Sequence, residues 1–415
     1  MAVSFLQERE VSDLCLGKPP LRSLSATSTI ADALAALKNS EDSFISVWNC
    51  DHRRSKKESE AEAEEEGECC GCVGKVCMVD VICFLCREDN LLSPSQALKA
   101  PLSIILSQAP PQIVVHLEPS SSLLEAIDLI LQGAQNLVVP IIAPTRRSGI
   151  SRRKQHQIQI QIQKSSTTTT SHNGREFCWL TQEDVIRFLL GSIGLFTPLP
   201  ALSIDALGII STDVLAIDYY SPASMALPAI SKSLADQTSV AIVDSDGTFI
   251  GEISPFILGC CDETVAAAVT TLSTGDLMAY IDGGGPPEDL VRVVKARLRE
   301  KNLEKMLEEF TILSPLASEA SSASSASSSD EESSSVRMRM RSGGRYSRSS
   351  SYSARMVRKA EAIVCHPKSS LVAVMIQAIA HRVNYLWVIE DDCSLVGIVT
   401  FSSMLKVFRE HLETM

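Results

Sequence analysis

A chain of 415 residues, 45% apolar and 21% charged, is long enough for two or three cores or for an array of repeats, and too apolar to be a disordered acidic tail. Its net charge of −12 argues against a general nucleic-acid binder or a binder of anionic membranes. No apolar run reaches the roughly 18 residues that would cross a bilayer, and the acid-bearing N-terminus resembles neither a signal nor a transit peptide. The expectation is therefore a cytoplasmic protein, with the nucleus possible. Thirteen cysteines, an odd number without a secretory leader, read as reduced thiols rather than a disulfide framework.

Along the chain, one order of elements recurs four times. Each copy opens on a Ser- or Thr-headed amphipathic helix: Thr29 before Ile30, Leu34 and Leu37; Ser122 before Leu123, Ile127 and Ile130; Ser224 before Leu227, Ile230 and Leu234; Ser370 before Leu371, Met375 and Ala378. A short β-branched strand follows, over 44–48, 136–142, 239–243 and 384–389. After a turn, a second strand runs into a helix through a recurring junction. The junctions read Gly74-Lys-Val-Cys77-Met-Val-Asp80, Phe177-Cys-Trp-Leu-Thr181-Gln-Glu-Asp184, Gly251-Glu-Ile-Ser254-Pro-Phe-Ile257 and Gly397-Ile-Val-Thr400-Phe-Ser-Ser403.

In copies three and four the turn is short, Asp244-Ser-Asp-Gly247 and Glu390-Asp-Asp-Cys393. Copies one and two carry long inserts at the same hairpin tip, where a surface loop costs little closure entropy. The acidic run 58–68, the basic and Gln/Thr-rich stretch 146–173 and the Ser/Arg-rich stretch 318–355 are expected to be loops, with QIQIQIQ a possible edge strand. Gly283-Gly-Gly-Pro-Pro287 reads as a hinge, and Leu290, Val294, Leu298, Leu303 and Leu307 mark a connecting helix over 286–313. Ser329, ahead of Asp330-Glu331-Glu332, and Ser351, three after Arg348, are possible phosphorylation sites, against the plainer reading of a solvated linker.

This order of elements with its Gly-x-x-Thr/Ser-x-x-Asp junction resembles the cystathionine-β-synthase (CBS) domain, and the four-copy arrangement is similar to the plant CBSX group of CBS domain-containing proteins. The resemblance implies an α/β (α+β) fold of four CBS repeats of the form strand-helix-strand-strand-helix, at 11–91 with an insert at 49–74, 97–192 with an insert at 144–175, 203–262 and 357–413. Between the last two lie the connecting helix and a disordered linker over 314–356. It implies further that the repeats pair, one with two and three with four, into two Bateman-type modules.

A strand feeding a helix leaves free N–H groups at the helix start, a place that suits phosphate. By resemblance this is an adenosine-nucleotide site. The candidate ligands are Thr181 with Asp184, then Cys77 with Asp80, and as residual contacts Ser254 and Thr400, for AMP, ADP or ATP. The competing reading is a capping box. Cys77 is a weak hydrogen-bonding partner, and Ile257 and Ser403 replace the acid, so copy two is the best site. Arg187 offers a phosphate cation or merely a solvated helix face.

A zinc site among Cys69, Cys70, Cys72, Cys77, Cys83 and Cys86 is disfavoured, since no His lies within that cluster, and no metal or cofactor is expected. No catalytic motif is present in the sequence, so the expectation is a non-enzymatic regulator that binds an adenosine ligand and modulates a protein partner, an enzyme or a kinase subunit. A degenerate ligand-free scaffold and a regulator like the γ subunit of the AMP-activated kinase are the alternatives. A homodimer is possible, and no nucleic-acid or membrane partner is expected.

Overall fold

The computed structural model describes residues 2–40, 42–50, 70–110, 112–141, 168–282, 285–309 and 361–414. Among these are four small sheets, one per copy. β1 (Ser23–Ser25), β2 (Phe44–Trp48) and β3 (Cys72–Cys77) form the first; β4 (Val114–His116), β5 (Asn136–Pro140), β6 (Ser171–His172) and β7 (Arg175–Leu180) the second. β8 (Ala216–Asp218), β9 (Val240–Val243) and β10 (Phe249–Ile253) form the third; β11 (Val364–Cys365), β12 (Tyr385–Ile389) and β13 (Leu395–Thr400) the fourth. In every sheet the first strand runs parallel to the second across a helical crossover, and the hairpin that follows is antiparallel. The middle strands are buried along most of their length, which is why they read as β-branched and aromatic runs.

The helices start as their caps dictate. Thr29, Ser122 and Ser370 accept from the backbone N–H three residues on. Copy three differs: Pro222 stands in the cap position, a 3-10 turn covers Ala223–Ala226, and the α-helix Leu227–Asp236 begins without a side-chain cap, so Ser224 does not head it.

A second device repeats four times. The first N–H of each opening helix donates to a carbonyl from a segment leading into the neighbouring copy: Leu123 to Arg9, Ile30 to Ala100, Leu371 to Leu202 and Ala223 to Leu272, at 2.8–2.9 Å. Thus the helices Ala2–Glu8 and Val11–Cys15 pack into the core of copy two, not copy one; Leu102 and Ile105 serve copy one, Phe196, Leu199 and Ile204 copy four, and Leu277 and Tyr280 copy three. Copies one and two, and copies three and four, are tied by this reciprocal exchange as well as through their sheets.

The helical faces then join the two pairs. One core combines Ile30, Leu37, Val81 and Leu85 of copy one with Ile230, Leu258 and Val269 of copy three; the other combines Ile127, Ile130 and Leu189 of copy two with Met375, Phe401 and Phe408 of copy four. The expected connecting helix is broken: Glu288–Glu300 ends before Asn302, which has positive φ, and a short helix Glu304–Glu309 follows. Val294, Leu298, Leu303 and Met306 bury against the first of these cores. Part of the second insert is also more regular than expected, since Ser171 and His172 form β6, turning at Asn173-Gly174 onto β7. QIQIQIQ, Ser329 and Ser351 lie outside the described residues.

Candidate functional site

Each junction places its hydroxyl or thiol at the first turn of a helix. In copy two the Asp184 carboxylate accepts from the Thr181 N–H at 2.7 Å and the Thr181 hydroxyl at 2.6 Å, while Thr181 Oγ1 accepts from the Asp184 N–H at 3.3 Å. The same carboxylate meets the ammonium of Lys18, which also donates to the Trp179 carbonyl at 2.7 Å. Thr181 is exposed and Asp184 half-buried. Asn136 begins β5 one step before the Leu137–Leu180 pair, so it lies beside this junction; its side-chain nitrogen is buried with no hydrogen-bond partner among the described residues.

The other junctions are more closed. Asp80 accepts from the Cys77 N–H at 2.8 Å, and burial raises the carboxyl above its ordinary range and the Cys77 thiol well above its own. Ser254 is buried, caps the Phe256 N–H at 3.2 Å and lies 3.4 Å from the Tyr385 hydroxyl of copy four. Thr400 and Ser403 cap each other reciprocally at 3.0 and 3.1 Å, the hydroxyl of Ser403 standing where the acid would be. Thr181 with Asp184 and Cys77 with Asp80 are therefore brought together as pairs, each at its own helix start. Arg187 spends its charge on Glu183, 2.5 Å away along its own helix.

The junction glycines answer to packing. A Cβ on Gly397 would stand 2.3 Å from the Ser211 carbonyl, because Ser211 and Ile398 exchange both backbone hydrogen bonds there. On Gly251 it would meet only the sulfur of Met278, and on Gly74 the tip of Leu106.

Sequence reading missed Lys18, Asn136 and His172. Lys18 follows a leading segment assigned by position to copy one, and nothing local announces its reach to copy two. His172 is far from the cysteines in sequence, yet its Nδ1 lies 3.2 Å from Cys50 Sγ, and these atoms with Cys70 Sγ all fall within 4.8 Å of one another. Apart from Cys70, cysteines of the sequence cluster behave differently. Burial pushes Cys72 and Cys86 up to about 12 and Cys83 well above its ordinary value, which holds them as neutral thiols.

Among the described residues no helix is long and apolar enough to cross a membrane. The CBS domain family model matches residues 354–410. Over its full length the chain is 52% identical to the CBS domain-containing protein CBSX5 of Arabidopsis thaliana, covering 99% of that protein. It is 28% identical to CBSX6 of the same plant, with 99% of this chain and 95% of the relative aligned. Among solved structures, an archaeal homolog of g-AMPK from Methanocaldococcus jannaschii superposes with a TM-score of 0.50 at 14% identity, covering 96% of this chain and all of the other, a likeness of fold. With its four like sheets and a full-length relative at 52% identity, the chain belongs to the CBS domain-containing proteins, in the CBSX group.

Proposed function

We propose that the protein is a non-catalytic regulator that binds an adenosine-containing ligand, of the AMP, ADP or ATP type, at the junction of copy two and alters a partner enzyme or kinase subunit in response. The observation that carries this reading is the meeting of three groups there. Thr181 is exposed, the Lys18 ammonium rests on Asp184, and the buried Asn136 amide beside them has an unused donor. A ribose diol suits the carboxylate, a phosphate suits the ammonium and the helix start, and a ring nitrogen or carbonyl would satisfy the amide. Copy one offers the same pair with a buried carboxyl, and copies three and four lack the acid. The γ-like form of this regulator is supported by the fold shared with the archaeal homolog of g-AMPK.

Thermal unfolding with AMP, ADP and ATP tests it. A ligand at a hundred times its Kd adds about 2.7 kcal/mol, and the shift should vanish in Asn136→Ala and Lys18→Met. Asn136→Ala removes no hydrogen bond of the amide nitrogen, so a lost shift with little change in the ligand-free Tm separates binding from folding. A second reading, a ligand-free scaffold acting through protein contacts, is favoured by Asp184 Oδ2 already accepting from Thr181 and Lys18. It predicts no shift with any adenylate into the millimolar range and partner binding indifferent to Asn136.

A further inference from the structure

We propose that Cys50, Cys70 and His172 form a zinc-binding site that clamps the hairpin of copy one to that of copy two. The three residues come from the roots of the two inserts: Cys50 follows β2, Cys70 precedes β3, and His172 ends β6. Tetrahedral zinc, with Zn–S of about 2.3 Å and Zn–N of about 2.05 Å, sets its sulfur and nitrogen ligands about 3.6 Å apart and its sulfurs about 3.8 Å apart. A Cys50–His172 separation of 3.2 Å and a mutual limit of 4.8 Å for all three atoms need only side-chain adjustments to reach that shape.

The imidazole is set for this task. Ser23, fully buried, donates its hydroxyl hydrogen to the Thr169 carbonyl at 2.9 Å, and its oxygen lies 2.7 Å from His172 Nε2, where it can accept an Nε2 hydrogen. With the ring proton on Nε2, the tautomer that zinc ligation through Nδ1 requires, that bond holds the imidazole with Nδ1 facing Cys50. The ring is stacked on Trp48 at 3.6 Å and 6°, which fixes its plane, and the Asn173-Gly174 turn, with positive φ at both residues, fixes its height. Cys70 Sγ donates to Asn173 Oδ1 at 3.1 Å, on the same turn. A histidine oriented by a hydroxyl behind it and two thiols before it is the donor set of a borderline-soft divalent ion. Binding releases two thiol protons to solvent and leaves Zn²⁺, two thiolates and a neutral imidazole. The site then carries no net charge beside the buried Trp48, and its fourth position is left to water or another donor.

The experiment uses the full chain stripped of metal, titrated with Zn²⁺ and, as a spectroscopic probe, with Co²⁺. The expected result is one tightly bound equivalent, a tetrahedral thiolate–cobalt absorption, and protection by Zn²⁺ of Cys50 and Cys70 from alkylation. The exposed Cys393 serves as the control and reacts at the same rate with or without zinc. Cys50→Ser and Cys70→Ser should each abolish the cobalt band. Ser23→Ala, a change to a positioning residue, should weaken affinity ten- to a hundredfold while the band keeps its shape. Absence of a bound equivalent, alkylation of Cys50 and Cys70 unaffected by zinc, or a cobalt band unchanged in both serine variants would each overturn the site. The alkylation map is read on the unaltered protein and stands even if a variant fails to fold.

Discussion

The sheet contact between copies one and two and the contact between copies three and four perform the same task with different chemistry. Copies one and two meet through aromatic rings: Trp48 lies fully buried against His172, His116 and Phe177, and its indole N–H is satisfied within its own strand by Ser46 at 3.0 Å. Copies three and four meet through a buried carboxylate. Glu252 of β10 accepts from the Tyr385 hydroxyl at 2.9 Å and the Trp387 indole N–H at 2.7 Å, both from β12. Burial and that neighbouring carboxylate push the tyrosine hydroxyl well above its ordinary pKa and keep it a donor. The hairpin tips differ in the same sense. Short tips allow Phe249 to donate to the Cys393 carbonyl at 3.0 Å across the pair, whereas the tips of copies one and two carry inserts and bring Cys50, Cys70 and His172 to their roots. One contact therefore stacks a buried indole on an imidazole, beside hydrogen bonds such as Ser23 to His172 and Cys72 to His116, and carries inserts at its tips; the other centres on a buried carboxylate beside the Phe249–Trp387 ring contact and has short tips that bond across the pair.

Breaking the aromatic contact should cost most. Trp48→Ala removes the largest ring from a fully buried place and is expected to destabilise by about 3–5 kcal/mol, read as a lower denaturant midpoint. An equal midpoint would mean that the exchanged leading segments, not the rings, hold copies one and two together. Glu252→Leu comes next, at about 3 kcal/mol, because two buried donors lose their acceptor. Adding Tyr385→Phe to it should cost less than the sum of the two single changes, and strict additivity would deny that the three groups act as a network. The smallest effect separates two junction glycines. Gly397→Ala drives a Cβ onto a carbonyl and should cost about 2 kcal/mol, while Gly74→Ala meets the flexible ends of Leu106 and Gln112 and should cost well under 1 kcal/mol. Equal costs would show that the close approach of Ser211 to β13 is not needed for the copy-four edge.

Much of the repeat was legible because its signals are local. Thr29, Ser122 and Ser370 announce helix starts by a hydroxyl that caps the third N–H, and Asp244–Gly247 announces a tight turn by a glycine with positive φ. Copy three broke the rule because Pro222 occupies the cap position, a substitution that hydropathy does not register. At the junctions, Thr181 and Asp184 were readable as a pair, but the cap and the nucleotide contact use the same two side chains, so spacing alone does not choose between them. Lys18 and Asn136 carry no motif. Their relevance comes from position across a sheet and between copies.

Periodicity and capping chemistry by themselves determined four helix-strand-strand-helix units, their short and long hairpins and the residues at each junction, since each of these depends on neighbours within a turn or a strand; the leading strand of each unit came from the family resemblance. The tertiary structure alone decided which surfaces meet. Helical faces of copies one and three share one core, those of two and four another, and each leading segment crosses to its sheet partner to satisfy the first N–H of that partner's helix. Apolar faces of similar width do not encode their partners. The choice is made by backbone groups that must find acceptors and by side chains, such as Ser23 and His172 or Glu252 and Trp387, that meet only once the chain has folded.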